Sequence, residues 1–247
     1  MIAEHQPKIF PKDVFEVRFS TVAEGNMMHG PDFDPADVSR RRRNFLEEKH
    51  GYPLDKVHLL KVTYDTRDFR RYGHASELTQ SLTREHSYVT PAFDALVHDR
   101  PGEAIAVPAA DCGVMAALAI EKANGIPTGK YTFMMSHLGR HSILQNGAHD
   151  SVKYLAEEAG VDISDLLVYV GPTAGADNYP IEKLGGIGMQ EAIGNQLLGA
   201  GLRRGQIEMS PLDTTTDENL YSNSEALKGR REKHGRQLVF AALRERQ

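Results

Sequence analysis

One thiol and one imidazole carry the chemistry this sequence offers. The chain's only cysteine, Cys112, stands in Pro108-Ala109-Ala110-Asp111-Cys112-Gly113, and His137 follows 25 residues later in Ser136-His137-Leu138-Gly139-Arg140-His141-Ser142. A thiolate and an imidazole held together can be two ligands of a transition metal, or a nucleophile and its general base. Either task requires rigid placement. Apolar runs of strand type precede each residue (104–107 and 131–135), a third run (114–120) lies between them, and Asn124 to Gly129 is rich in turn residues. The pattern predicts strand, strand, turn, strand, with the pair at strand ends and within reach of one another. On residue types alone the plainer reading has the stronger claim: a small buried cysteine and a hydrogen-bonded histidine, since two residues do not make a metal site.

The elements that must position the pair follow from periodicity and punctuation. Residues 14–20 alternate as a strand into the turn Glu24-Gly25-Asn26. Asp34-Pro35 opens a helix that ends before Gly51, with Val38, Phe45 and Leu46 on its core face. Residues 57–64 form a strand candidate leading into a charge-dense connection, 65–72. Short strands are expected at 94–98, 166–170, 207–210 and 236–243, and helices at 147–159 and 189–200. Gly185-Gly186-Ile187-Gly188 lacks the lysine of a P-loop and the spacing of a dinucleotide fingerprint, so it is assigned a turn. The polar passage from Asp213 to Ser224 reads as a lid or a surface loop.

Composition narrows the function. No long linker or fixed-period repeat divides the chain, so residues 1–247 are expected to form a single domain. A net charge of -5 argues against a nucleic-acid surface, and Arg40 to Arg43 would point around most of a solvated helix with one or two turned inward. One cysteine permits no internal disulfide, and no apolar run approaches the ~18 residues of a membrane span. A cytoplasmic protein with a small-molecule substrate, and neither nucleic acid nor membrane as partner, is the expectation.

Six short pieces then occur in a telling order: Asp94-Ala95-Leu96-Val97, Ala110-Asp111-Cys112, His137-x-Gly139, Gly171-Pro172 with Tyr179, Tyr221-Ser222, and Gly235-Arg236. In that order and with those gaps the chain resembles the YfiH family, also called the laccase-domain or polyphenol oxidoreductase family. The resemblance implies an α+β fold, a four-layer α/β/β/α sandwich with mixed sheets and the thiol and imidazole in a cleft. It also implies zinc-assisted action on purine nucleosides, by phosphorolysis or by deamination of adenosine. Carried onto this sequence, Cys112 and His137 are catalytic and metal-ligating, and Asp111 orients them. Arg140 or Arg67 holds phosphate or another anion, and Asp94 and Tyr179 contact substrate.

The chain departs from the family's pattern at the first zinc ligand. The histidine motif aligns with Lys61-Val62-Thr63-Tyr64, which puts Thr63 at the ligand position. His74, followed by His86 and His141, is the candidate replacement. Arg140 and His141 also stand where the family has tryptophan and arginine. Two alternatives therefore accompany the nucleoside enzyme: a metal-independent Cys-His hydrolase of an acyl or amide bond, and a non-catalytic member that binds a small molecule. An oxidase comes last, because none of the eleven histidines forms a His-x-His pair.

Overall fold

The computed structural model describes residues 7–82, 87–231 and 234–245. Its strands are β1 (Phe15–Phe19), β2 (Val57–Leu59), β3 (Tyr72–His74), β4 (Thr79–Leu82), β5 (Ser87–Thr90), β6 (Ala95–His98), β7 (Ala104–Ala109), β8 (Gly113–Ala123), β9 (Ile126–Leu138), β10 (Leu166–Val170), β11 (Ile207–Met209) and β12 (Gln237–Leu243). The α-helices are α1 (Pro35–Arg43), α2 (Arg140–Ile143), α3 (Gly147–Ala159), α4 (Met189–Gly199) and α5 (Asn223–Leu227). A four-stranded sheet has the order β1-β12-β7-β2, a six-stranded sheet the order β11-β10-β8-β9-β6-β3, and β4 and β5 form a separate ribbon. Both larger sheets mix parallel and antiparallel pairs. Among the described residues, no helix is long and apolar enough to cross a membrane.

The period-2 alternation of strand side chains builds four layers from these sheets. On β7 and β12, Ile105, Val107, Val239 and Ala241 face the six-stranded sheet, where they meet Val114, Ala116, Leu118, Phe133 and Met135. The intervening Ala104, Ala106, Leu238 and Phe240 face outward onto Phe45 and Leu46. The six-stranded sheet turns Met115, Ala117, Met134 and Val168 to its other face, against Val152 and Leu155 of α3 and Ile193 and Leu197 of α4. The order is helix, sheet, sheet, helix. Each fully buried Leu or Phe in these layers contributes roughly 1.5–3 kcal/mol of transfer free energy.

Local chemistry fixes several boundaries. Asp34 caps α1, accepting from Ala36 N at 2.9 Å, with Pro35 at the first helical position as expected. The helix continues as one wide turn (Asn44–Lys49), which carries Phe45 and Leu46 into the core. Of the four arginines only Arg42 is buried, donating from Nε to Met27 O at 2.7 Å. The β8–β9 hairpin closes through Asn124 and Gly125 alone, at φ 53° and 79°. Asn-Gly is the pair that best tolerates two successive left-handed residues, so this turn is tighter than the span 124–129 suggested.

One expectation is corrected, and a choice left open between a lid and a surface loop is narrowed. The strand at 57–64 ends at Leu59: after Leu60 N donates to Ala106 O, the chain leaves the sheet edge, and residues 61–71 climb over the end of the sandwich. The passage from Asp213 to Ser224 is not a free lid. Asp213 Oδ1 accepts from Gly175 N and Thr215 N, and Thr214, Leu220 and Tyr221 are buried.

Candidate active site

Cys112 and His137 meet at one end of the inter-sheet layer. The strand before Cys112, β7, belongs to the four-stranded sheet, whereas β8 immediately after it belongs to the six-stranded one. Cys112 therefore sits on the crossover. It is β8, not β7, that pairs with β9 and brings the two residues together, through Gly113 opposite Leu138 and Val114 opposite His137. His137 N donates to Asp94 O at 2.8 Å, fixing the rim of β9 to the start of β6. A Cβ placed on Gly139 would lie 3.5 Å from Cys112 Sγ, 3.2 Å from His137 Cε1 and 3.8 Å from His137 Nδ1. Thiol and ring thus face one small space, kept open by the missing side chain.

That space is a cavity of about 190 Å³. Aromatic groups form much of its wall. Phe69 and His141 stack at 4.9 Å between centroids and 18° between planes, Arg140 lies over the Tyr179 ring at 4.4 Å, and Tyr64 stands exposed at the mouth. Asp94 lines the cavity too, but its carboxylate is occupied: Arg71 donates from Nε and Nη2 at 2.9 and 3.0 Å, and from its backbone N at 3.0 Å. The pair is bidentate and anchors the charge-dense connection.

Burial sets the protonation of the dyad. The thiol is pushed up to about 11 by desolvation and then by Asp111, with Arg236 and Arg140 pulling it back in part. The imidazole is pushed down to about 4, again chiefly by desolvation, opposed by Asp94. At neutral pH the pair is a thiol beside a neutral ring. Both shifts oppose formation of the thiolate–imidazolium pair that an activated cysteine hydrolase uses.

The other expected site residues scatter. Arg140 and Tyr179 line the cavity. Asp111 does not orient the dyad: its Oδ1 accepts from Thr214 Oγ1 at 2.8 Å and its Oδ2 from Ser224 N at 2.6 Å, so it ties two distant loops to the crossover. Its φ of 71° is what turns the chain from one sheet to the other. Arg67 is exposed and outside the cavity, and its carbonyl accepts from Gln145 Nε2 at 2.7 Å. His74 lies on β3 and pairs with Glu158 of α3 at 2.6 Å, so it is no third ligand. His86 falls outside the described residues. The alignment of family motifs pointed to none of Tyr64, Phe69 and Ser142, because motif matching marks chemistry and overlooks walls.

Residues 17–184 match the family described as multi-copper polyphenol oxidoreductase laccase. The chain belongs to that family. Solved structures agree on the fold. YlmD from Geobacillus stearothermophilus is similar at a TM-score of 0.74 and 19% identity, over 97% of this chain and 94% of that one. The Bacillus licheniformis hypothetical protein YfiH gives 0.71 and 19%, over 93% of each chain. Neisseria meningitidis protein NMB0706 gives 0.71 and 16%, over 97% and 98%. No match was found among curated proteins.

The laccase-domain family's metal association can be tested against the donors present. Cys112 and His137 supply two. A catalytic zinc takes three protein ligands. Thr63, at the aligned position, lies outside the cavity wall, and its hydroxyl donates to Asp65 Oδ2 at 3.2 Å. Among the described residues, the group of three or more histidine, cysteine or carboxylate donors that converges on one point is His58, His98 and Glu103, elsewhere in the molecule. His141 also lines the pocket, but its ring is stacked on Phe69 and its nitrogens do not converge with Cys112 and His137, so a three-ligand metal centre does not fit there.

Proposed function

We propose that this laccase-domain chain is an enzyme acting on a purine nucleoside or related N-glycoside, with the Cys112–His137 pocket as its active site. The observation that carries the reading is the lining of the dyad's cavity by Tyr64, Phe69, His141 and Tyr179 together with the cation of Arg140. A planar base gains from stacking on such rings, and at about 190 Å³ the cavity encloses a base rather than a whole nucleoside. The ribose would then lie toward Tyr64 at the mouth.

The residues present support chemistry without a metal step. The unprotonated ring nitrogen of His137 can accept a proton from water, and the ring N–H can donate a hydrogen bond to a departing base. The protonated thiol of Cys112 is a weak hydrogen-bond donor toward the base. Arg140 supplies the cation for a phosphate whose oxygen attacks C1′ as the bond to the purine nitrogen breaks.

The test is product analysis. Adenosine, inosine and guanosine are incubated with the protein, with and without phosphate. Free base with ribose 1-phosphate denotes phosphorolysis, free base with ribose hydrolysis, and inosine from adenosine deamination. Loss of the product in Cys112→Ala and His137→Ala is expected, whereas Cys112→Ser, which keeps a donor at the same place, should retain part of it. Saturable nucleoside binding with no product from any of the three would instead favour the non-catalytic member that the missing third ligand suggests. An acyl or amide hydrolase would need the Cys112 thiolate, which burial of the thiol opposes.

A further inference from the structure

We propose that His58, His98 and Glu103 form a second, separate site for a divalent transition ion of the zinc class, at the end of the inter-sheet layer away from the Cys112–His137 pocket. The inference stands independently of the nucleoside reading. His58 lies on β2, the edge of the four-stranded sheet; His98 ends β6 of the six-stranded sheet; Glu103 immediately precedes β7. Alternation turns both imidazoles inward. Val57 and Leu59 face the outer core, so His58 faces the other sheet, and Val97 faces the helices, so His98 does likewise. The neighbouring inward positions are Leu96, Ile105 and Val107. Two inward histidines interrupt an otherwise apolar layer, at a cost that demands partners.

Their partners converge. His58 Nε2 and His98 Nε2 lie 2.8 and 2.9 Å from the same oxygen, Glu103 Oε2, and the donor atoms all fall within 4.8 Å of one another. With ligand bonds of ~2.0–2.2 Å a tetrahedral ion holds its donors roughly 3.3 Å apart, so small side-chain rotations admit one. Two imidazoles and a carboxylate are a borderline donor set suited to zinc and its neighbours rather than to calcium or magnesium. His98 is buried while His58 and Glu103 stay partly open, which leaves an entry path and a fourth position for water. Two charged neighbours face the cluster. Arg100, 3.7 Å from Glu103 Oε1 and mostly exposed, can swing into solvent, and exposed Asp99 adds a favourable negative charge near His98.

The probe is Zn²⁺ itself, added to protein stripped with a chelator and then dialysed, with Co²⁺ as its spectroscopic substitute. One equivalent of zinc retained by the wild type and by Cys112→Ser/His137→Ala, and lost in His58→Gln and Glu103→Gln, is the expected result. Both of the latter change partly exposed positions, and unfolding by circular dichroism checks that each is folded. Zinc should raise the wild-type midpoint and leave that of folded Glu103→Gln unmoved. Cobalt should give d–d bands without a thiolate charge-transfer band. The proposal is overturned by no retained zinc in the wild type, by zinc retained in folded Glu103→Gln, or by a thiolate–cobalt band that disappears with Cys112.

Discussion

At the scale of single residues, the pocket side chains separate chemistry from packing. Cys112 faces the cavity, so Cys112→Ala should cost less than about 1 kcal/mol of stability while abolishing turnover. A thermal midpoint close to wild type with no product is the outcome to look for. His137 makes an acid-stability prediction. Its folded-state value is pushed down to about 4 from an ordinary 6.5, so the unfolded chain binds the proton first as pH falls. The stability it contributes is complete above about 6.5 and is lost between there and about 4. In protein freed of metal, denaturant titrations across that window should show a decline that is shallower in His137→Asn. Cys112 and His137 were legible in the sequence because chemistry restricts residue type. Asp111 was misread: its motif is intact, but its carboxylate serves the loops at Thr214 and Ser224.

At the scale of elements, the crossover from β7 to β8 and the end of β9 determine whether the pocket exists. Asp111→Ala removes an acceptor shared by a buried hydroxyl and a buried amide and should destabilise by roughly 3 kcal/mol, measurable by chemical denaturation. Gly139→Ala tests the opening at the start of α2. The new methyl would meet His137 Cε1 at 3.2 Å and intrude beside Sγ, so nucleoside affinity should fall about tenfold at a stability cost of about 1 kcal/mol, read by calorimetric titration and thermal unfolding. The strands and the 124–125 turn could be read from apolar runs and from Asn-Gly. What could not be read is where β2 stops. Residues 57–64 keep a strand's composition throughout, yet the sheet edge ends at Leu59, and Tyr64 becomes pocket wall. Local propensity carries no information about which partner strand runs out first.

At the scale of the whole molecule, β6 links two polar constellations across the apolar layer. Asp94 beside its start belongs to the Cys112–His137 pocket, and His98 at its end belongs to the His58–Glu103 cluster, about 13 Å away along one strand face. The ordered motifs disclosed the four-layer fold. They did not disclose that cluster, because His58 and His98 are far apart in sequence and meet only when the two sheets pack. The central claim is that the pocket takes a purine nucleoside beside a protonated thiol, and the chain's single cysteine gives it a direct readout: the rate of iodoacetamide alkylation of Cys112, followed by mass spectrometry across pH, with and without adenosine or inosine. The account predicts slow alkylation at neutral pH, a rate still climbing above pH 9 toward the raised value of about 11, and saturable protection by nucleoside. Rapid alkylation that has already levelled off at neutral pH and is indifferent to nucleosides would contradict it, and would indicate an activated cysteine hydrolase instead.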